Sequence, residues 1–203
     1  MSVRIVALKK GVRHMTSDFA KNMGLAHKVI SAGELVGFTP AQWNALAENP
    51  TLFDAIHDVV LGHAEIKPIE HLIDCDAAPF TQSGWKVEKH QKGGQFKWDS
   101  AQVALYLSEF QKNGVIDGNK LRNELAGKPV MNACVLDYLL AHPNLIPEKW
   151  KGKYVFFWGT IYRYSDGYLY VRYLGWYGDG WGWRYRWLGD VWSGDGPAAL
   201  RAS

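Results

Sequence analysis

His71, Asp74, Cys75 and Asp76 bring four side chains of metal-ligand type into six consecutive residues. A zinc or iron site needs three or four such donors converging on one point, commonly from two separated pairs. Here Leu72 and Ile73 sit among the donors, and a short strand would turn neighbouring side chains to opposite faces. No second pair with metal spacing follows. His57 and His63 lie six positions apart on a predicted helix and do not share a face. Cys134 opens an amphipathic segment, where a helix N-terminus can activate a thiolate. No base is placed beside it by the sequence, so a small buried apolar role fits better. G-x-S-x-G, P-loop and dinucleotide fingerprints are absent from the chain. The glycines of the tail, among them Gly182, Gly189, Gly194 and Gly196, precede no helix that would hold a phosphate. The expectation is a non-enzyme with no catalytic residue, no metal and no cofactor.

The elements that would position these groups divide by composition. Six of the ten Trp and eight of the ten Tyr lie from Tyr154 onward, a stretch without Lys, Glu, Gln, Met, Asn, His or Cys. Residues 1–68 read as a helical region. Thr39-Pro40 starts a helix bearing Trp43, Leu46 and Ala47; Asn49-Pro50 ends it, and Thr51 caps a second helix that stops near Gly62. Ile66–Pro68 serves as a connector. In residues 69–203 a strand at His71–Cys75 precedes a turn-rich stretch. Asp99 or Ser100 then caps a helix carrying Val103, Leu105, Tyr106, Leu107 and Phe110. A second helix holds Ala133 to Leu140. Tyr154–Tyr164 and Tyr168–Trp176 form strands around the Ser165-Asp166-Gly167 turn, and Gly178-Asp179-Gly180 leads into a third strand. In that strand Trp181, Trp183, Tyr185 and Trp187 share one face, and Gly182, Arg184 and Arg186 the other.

Composition bounds the function classes. At 203 residues, with 47% hydrophobic and 21% charged residues, the chain can build its own core. A net charge of +3 is too small to point to nucleic acid or anionic membrane. No run of about 18 apolar residues is present, so no membrane insertion is expected. No signal-peptide core is visible either, which leaves a cytoplasmic location or attachment to a virion or cell surface through a partner. Two cysteines cannot make a disulfide framework. The aromatic tail, with small and polar residues between its rings, suits a contact surface.

From about Ile69 onward the chain resembles an uncharacterised family of microbial and viral proteins. The resemblance is carried by Lys92-Gly93-Gly94-Gln95-Phe96-Lys97-Trp98-Asp99, by Val135 to Pro143, and by Phe157-Trp158-Gly159-Thr160-Ile161-Tyr162-Arg163. It covers roughly two-thirds of the chain. The closing segment is similar to the variable region of proteins diversified by retroelements. There a reverse transcriptase miscopies adenines, so Asn-type codons become any codon ending in a pyrimidine. Such codons cannot encode Lys, Glu, Gln, Met or Trp, and Trp codons contain no adenine. Between Gly175 and Gly196 the residues around the tryptophans are Gly, Tyr, Asp, Arg, Leu, Val and Ser, all permitted. The absence of Asn is a departure from that pattern.

This resemblance implies an α+β fold: a C-type-lectin-like domain of strand, two helices and antiparallel aromatic-rich meander, with a small helical N-terminal appendage. It implies a variable region over about 164–200. Trp158, Trp176, Trp181, Trp183, Trp187 and Trp192 would form the scaffold. Tyr170, Gly175, Tyr177, Asp179, Gly182, Arg184, Arg186, Gly189, Asp190, Val191, Ser193 and Asp195 would be displayed to a protein or cell-surface ligand. Calcium-dependent sugar binding is not implied, since the tail has no Glu or Asn. The N-terminal helices are candidates for homo-oligomer formation. The alternative is a viral or mobile-element protein that binds a fixed host factor, such as a defence system, through the same aromatic surface.

Overall fold

A computed structural model describes residues 3–7 and 23–202. The chain divides into two units, Met1–Ile69 and Glu70–Ser203. Both belong to a mixed α+β architecture with mostly antiparallel sheets.

In the first unit strand β1 (Val3–Ala7) pairs antiparallel with β2 (Ala64–Pro68). Among the described residues three helices lie between them in sequence: α1 (Met23–Leu35), α2 (Pro40–Ala47) and α3 (Pro50–Val60). Thr39 and Gln42 form a reciprocal capping box at α2, with Pro40 at the first helical position. Asn49, rather than Thr51, caps α3 by accepting from Leu52 N–H. Ile66–Pro68, expected as a connector, is therefore part of a strand, whose distant partner lies at the other end of the unit.

The second unit opens with β3 (Leu72–Asp74), which pairs with β5 (Gln95–Lys97). Between them β4 (Trp85–His90) runs along the main sheet. The expected helix after Asp99 is a single 3₁₀ turn, Ser100–Gln102, followed by strand β6 (Val103–Tyr106). Asp99 does cap, accepting from Ala101 N–H at 2.9 Å. Beyond that turn Val103 is buried and Ala104 exposed, the alternation of a strand, and a pairing with the C-terminal strand decides the conformation. Ser108 then caps a short helix α4 (Glu109–Asn113), and β7 (Ile116–Asp117) leads into α5 (Gly118–Glu124). Helix α6 (Ala133–Ala141) is as expected, capped by Asn132.

Strands β8 (Val155–Tyr164), β9 (Leu169–Trp176) and β10 (Trp181–Trp187) form the meander. A short β11 (Val191–Trp192) pairs with β7, and β12 (Ala198–Arg201) closes the chain. The main sheet has the order β10-β9-β8-β12-β6, with β4 also pairing β8. Strand β12 thus lies inside the sheet, antiparallel to β6 and parallel to β8.

Each face of this sheet buries its own core. On one side Val155, Phe157 and Leu174 meet Cys134, Val135, Leu136 and Leu139, with Trp181 and Trp183 packed against them. On the other, Phe156, Trp158, Ile161 and Val171 meet Leu121 and Leu125, together with Leu188 and Trp192. The switch of odd and even positions along β8 follows from a register shift between Phe156 and Ile161. Gly159 lies in that irregular stretch. A Cβ there would come within 2.9 Å of Asn132 backbone atoms, so the cap of α6 rests directly on the strand.

Candidate functional site

The metal-ligand types at 71–76 are spent on structure. His71 Nδ1 lies 2.9 Å from Tyr138 Oη. Asp74 accepts from Asp76 N–H, and Asp76 accepts from Gly93 and Gly94 N–H at 3.0 and 2.9 Å. Those backbone donors, Gly94 first, hold the Asp76 carboxyl below its ordinary range. Among the described residues no three His, Cys, Asp or Glu side chains converge as a metal site.

Cys134 has a histidine nearby that the sequence did not reveal: His90 Nε2 lies 3.9 Å from its Sγ. The pair is not built as nucleophile and base. His90 Nε2 also lies 3.1 Å from the Cys75 carbonyl, which only accepts, so that nitrogen carries a proton and has no lone pair for the thiol. His90 Nδ1 is 2.8 Å from Thr160 Oγ1. The Cys134 thiol points to Ala77 O at 3.3 Å, and burial pushes its pKa up to about 12. Asn132 completes the network by donating to the carbonyls of Cys75 and Gln91. The arrangement fastens the loop before β4 and the start of α6 to β8.

Two cavities stand out among the described residues. One of about 170 Å³ is lined by Cys75, Phe96, Met131 and Val135, with Arg201 among its walls. The other, of about 260 Å³, includes Lys89, Arg122, Asn123 and Trp158. Neither contains the residues of the predicted display set.

Those residues lie on β9, β10 and the loops beside them, with Val191 on β11. Asp179, Arg184, Asp190, Val191 and Asp195 are exposed; Tyr170, Tyr177, Gly182, Arg186, Gly189 and Ser193 are half-buried; Gly175 is buried. Gly175 and Gly182 face one another across the β9–β10 ladder. The Tyr177 ring lies over both, within 3.3 Å of where their Cβ atoms would stand. The Arg184 guanidinium stacks on the outer face of that ring, 4.7 Å from its centroid. Arg186 behaves differently. It donates to Val191 O at 2.6 Å, pairs with Asp190 at 3.2 Å and lies over Trp192. It braces the loop leading to β11, whereas Arg184 is exposed and makes no ion pair among the described residues. Ser193 donates to Asp195 at 2.5 Å.

The tryptophan scaffold divides too. Trp158 and Trp192 are buried, and Trp176, Trp181 and Trp183 are half-buried. Trp187 is 42% exposed and packs edge-on against Tyr168, which is 55% exposed. It stands at the sheet margin, beyond the cover of the helices, and so belongs to the surface rather than the scaffold. Tyr170 sits on the aromatic face, where its hydroxyl donates to Asp166.

Sequence reasoning missed three contributors. Trp85 stacks on Tyr185 with ring centroids 3.6 Å apart and planes 10° from parallel. Phe80 packs edge-on against Trp183. Arg172, fully buried, pairs with Asp137 at 2.7 Å and lies 4.2 Å from the Trp183 ring centre. Nothing in Tyr170-Val171-Arg172-Tyr173 marks a buried arginine, because its counter-ion comes from a distant helix. No family model, no curated protein and no solved structure matches this chain.

Proposed function

We propose that the chain is a non-enzymatic binding protein. Its second unit would be a C-type-lectin-like domain that displays a retroelement-diversified surface, over about 164–200, to a protein or cell-surface ligand. The observation that carries this reading is the separation of roles along the tail. Asp179, Arg184, Asp190, Val191 and Asp195 are exposed on strand and loop positions, while the rings of Trp158 and Trp192 lie in the core between them. A surface of that kind tolerates side-chain exchange because rigid elements beneath it hold the backbone. The succession β6, α5, α6, meander and returning β12 supports the lectin-like assignment.

The exposed apolar residues of the first unit, including Leu35, Val36 and Val60, are offered for self-association, which would add avidity to modest single contacts. No helix among the described residues is long and apolar enough to cross a membrane.

The test is to sequence the encoding locus with its downstream flank and many copies of the 3′ end. A reverse-transcriptase gene and a near-copy of codons 164–200 that differs chiefly at adenines is the expected result. An invariant 3′ end without a template copy removes diversification and leaves a fixed binding module directed at one host factor.

A further inference from the structure

Among the described residues strand β10 is the last strand of its sheet and pairs only with β9. The ladder is anchored at both ends: Tyr177 N–H donates to Gly180 O at 2.9 Å, and Leu188 N–H donates to Leu169 O at 2.8 Å. Antiparallel pairs alternate between bonded and non-bonded positions. Gly182, Arg184 and Arg186 therefore bond inward to β9, while the backbone groups of Trp181, Trp183, Tyr185 and Trp187 point away from the sheet. Of these outward groups only the Trp187 carbonyl has a partner among the described residues, the Asp190 N–H at 3.3 Å. Free edges are ordinarily protected by charged side chains, lysine above all, by proline, by a bulge or by a covering element. Strand β10 has no lysine or proline, its register against β9 is unbroken, and its two charges are Arg184 and Arg186, the second of them held by Asp190.

We infer that this edge is a docking site for an extended segment of a partner protein, added as a further antiparallel strand with an Asp or Glu opposite Arg184. Arg184 is exposed and, unlike Arg186, meets no carboxylate within ion-pair distance among the described residues. On the open side it occupies a non-hydrogen-bonded position, where opposing side chains stand closest and charge pairing acts most strongly. The same charge argues against a second copy of β10 as occupant. A two-fold axis at Arg184 sets that residue against itself, and an axis at Tyr185 sets it against Arg186. An axis at Trp183 avoids this only by facing Arg184 with Gly182. The inference deepens the binding reading above, since it supplies the chemistry of the partner.

The experiment uses the full chain and synthetic, fluorescein-labelled peptides of Val and Thr with one central Glu. A Lys counterpart and a backbone N-methylated Glu peptide serve as comparisons. Fluorescence anisotropy gives affinity, and amide exchange reports the site. The Glu peptide is expected to bind and to protect the Trp183 and Tyr185 amides. The Lys and N-methylated peptides should bind about tenfold more weakly or worse, and Arg184→Glu should invert the Glu-over-Lys preference. Equal binding of Glu and Lys peptides overturns the inference, as does protection confined to the loops at 177–180 and 189–195. No binding at millimolar peptide overturns it too, and self-association that protects the same amides assigns the edge to a second copy instead. Diversification is decided at the DNA level. An invariant 3′ end leaves the edge untouched, and a diversified locus with unprotected β10 amides removes the edge alone.

Discussion

Arg184 and Arg186 differ by two positions and look interchangeable in sequence, yet their surroundings give them opposite roles. Arg184→Ala removes only a stacking contact at the surface, and unfolding by denaturant should shift by no more than about 0.5 kcal/mol. Arg186→Ala releases a carbonyl, a carboxylate and a ring at once, and should cost about 1–2 kcal/mol. Buried Arg172 has more at stake. Asp137→Ala strands its charge against Trp183 and Tyr162, a loss of about 3 kcal/mol; Arg172→Met, which removes the charge with its shape roughly kept, should be much milder. If both variants melt alike, the ion pair is not the reason. A pH effect belongs to Asp76. Its folded-state pKa lies below the unfolded value, so the stability it contributes is present above the ordinary carboxylate range near about 4 and is lost as pH falls below it. Asp76→Asn keeps an acceptor for Gly94 but cannot titrate, and should flatten the acid limb of a melting-temperature curve.

Among the elements, local chemistry made some legible and others not. Helices α2, α3 and α6 and both hairpin turns were readable because each carries its own cap, proline or glycine. The β6 region misled because Val103, Leu105, Tyr106 and Phe110 satisfy helical spacing about as well as alternation. Only β12, nearly a hundred residues later in the chain, settles the matter by pairing with it. Helix α5 hides behind Gly118, which reads as a turn. Its glycine is instead required by crowding, since a Cβ would lie 2.3 Å from the Trp192 indole nitrogen and 2.4 Å from Leu188 O. The display positions were legible as a stretch but not one by one: no pattern distinguishes buried Gly175 from exposed Asp179. Element-scale packing gives its own prediction. Gly159→Ala drives a methyl into the α6 cap and should cost about 1–3 kcal/mol, with loss of the near-ultraviolet signal of the surrounding tryptophans before loss of helix.

For the whole molecule, every residue of both buried clusters belongs to the second unit, beginning at Ile73. A chain starting at Glu70 should therefore fold alone, with a cooperative melt close to that of the same unit in the full chain. A broad, low transition would show that the first unit supplies part of its stability.

The place of β12 in the sheet bears on how the molecule is made. The segment that joins β8 to β6 is translated after every other strand of that sheet. The sheet cannot close until the codons for β12 have been translated. Any copy cut short by a nonsense or frameshift lesion in the aromatic tail leaves Val103 and Phe156 without the strand that pairs with them, and such a product is prey to proteolysis. Placing that strand downstream of the aromatic stretch makes an intact reading frame through it a condition of folding.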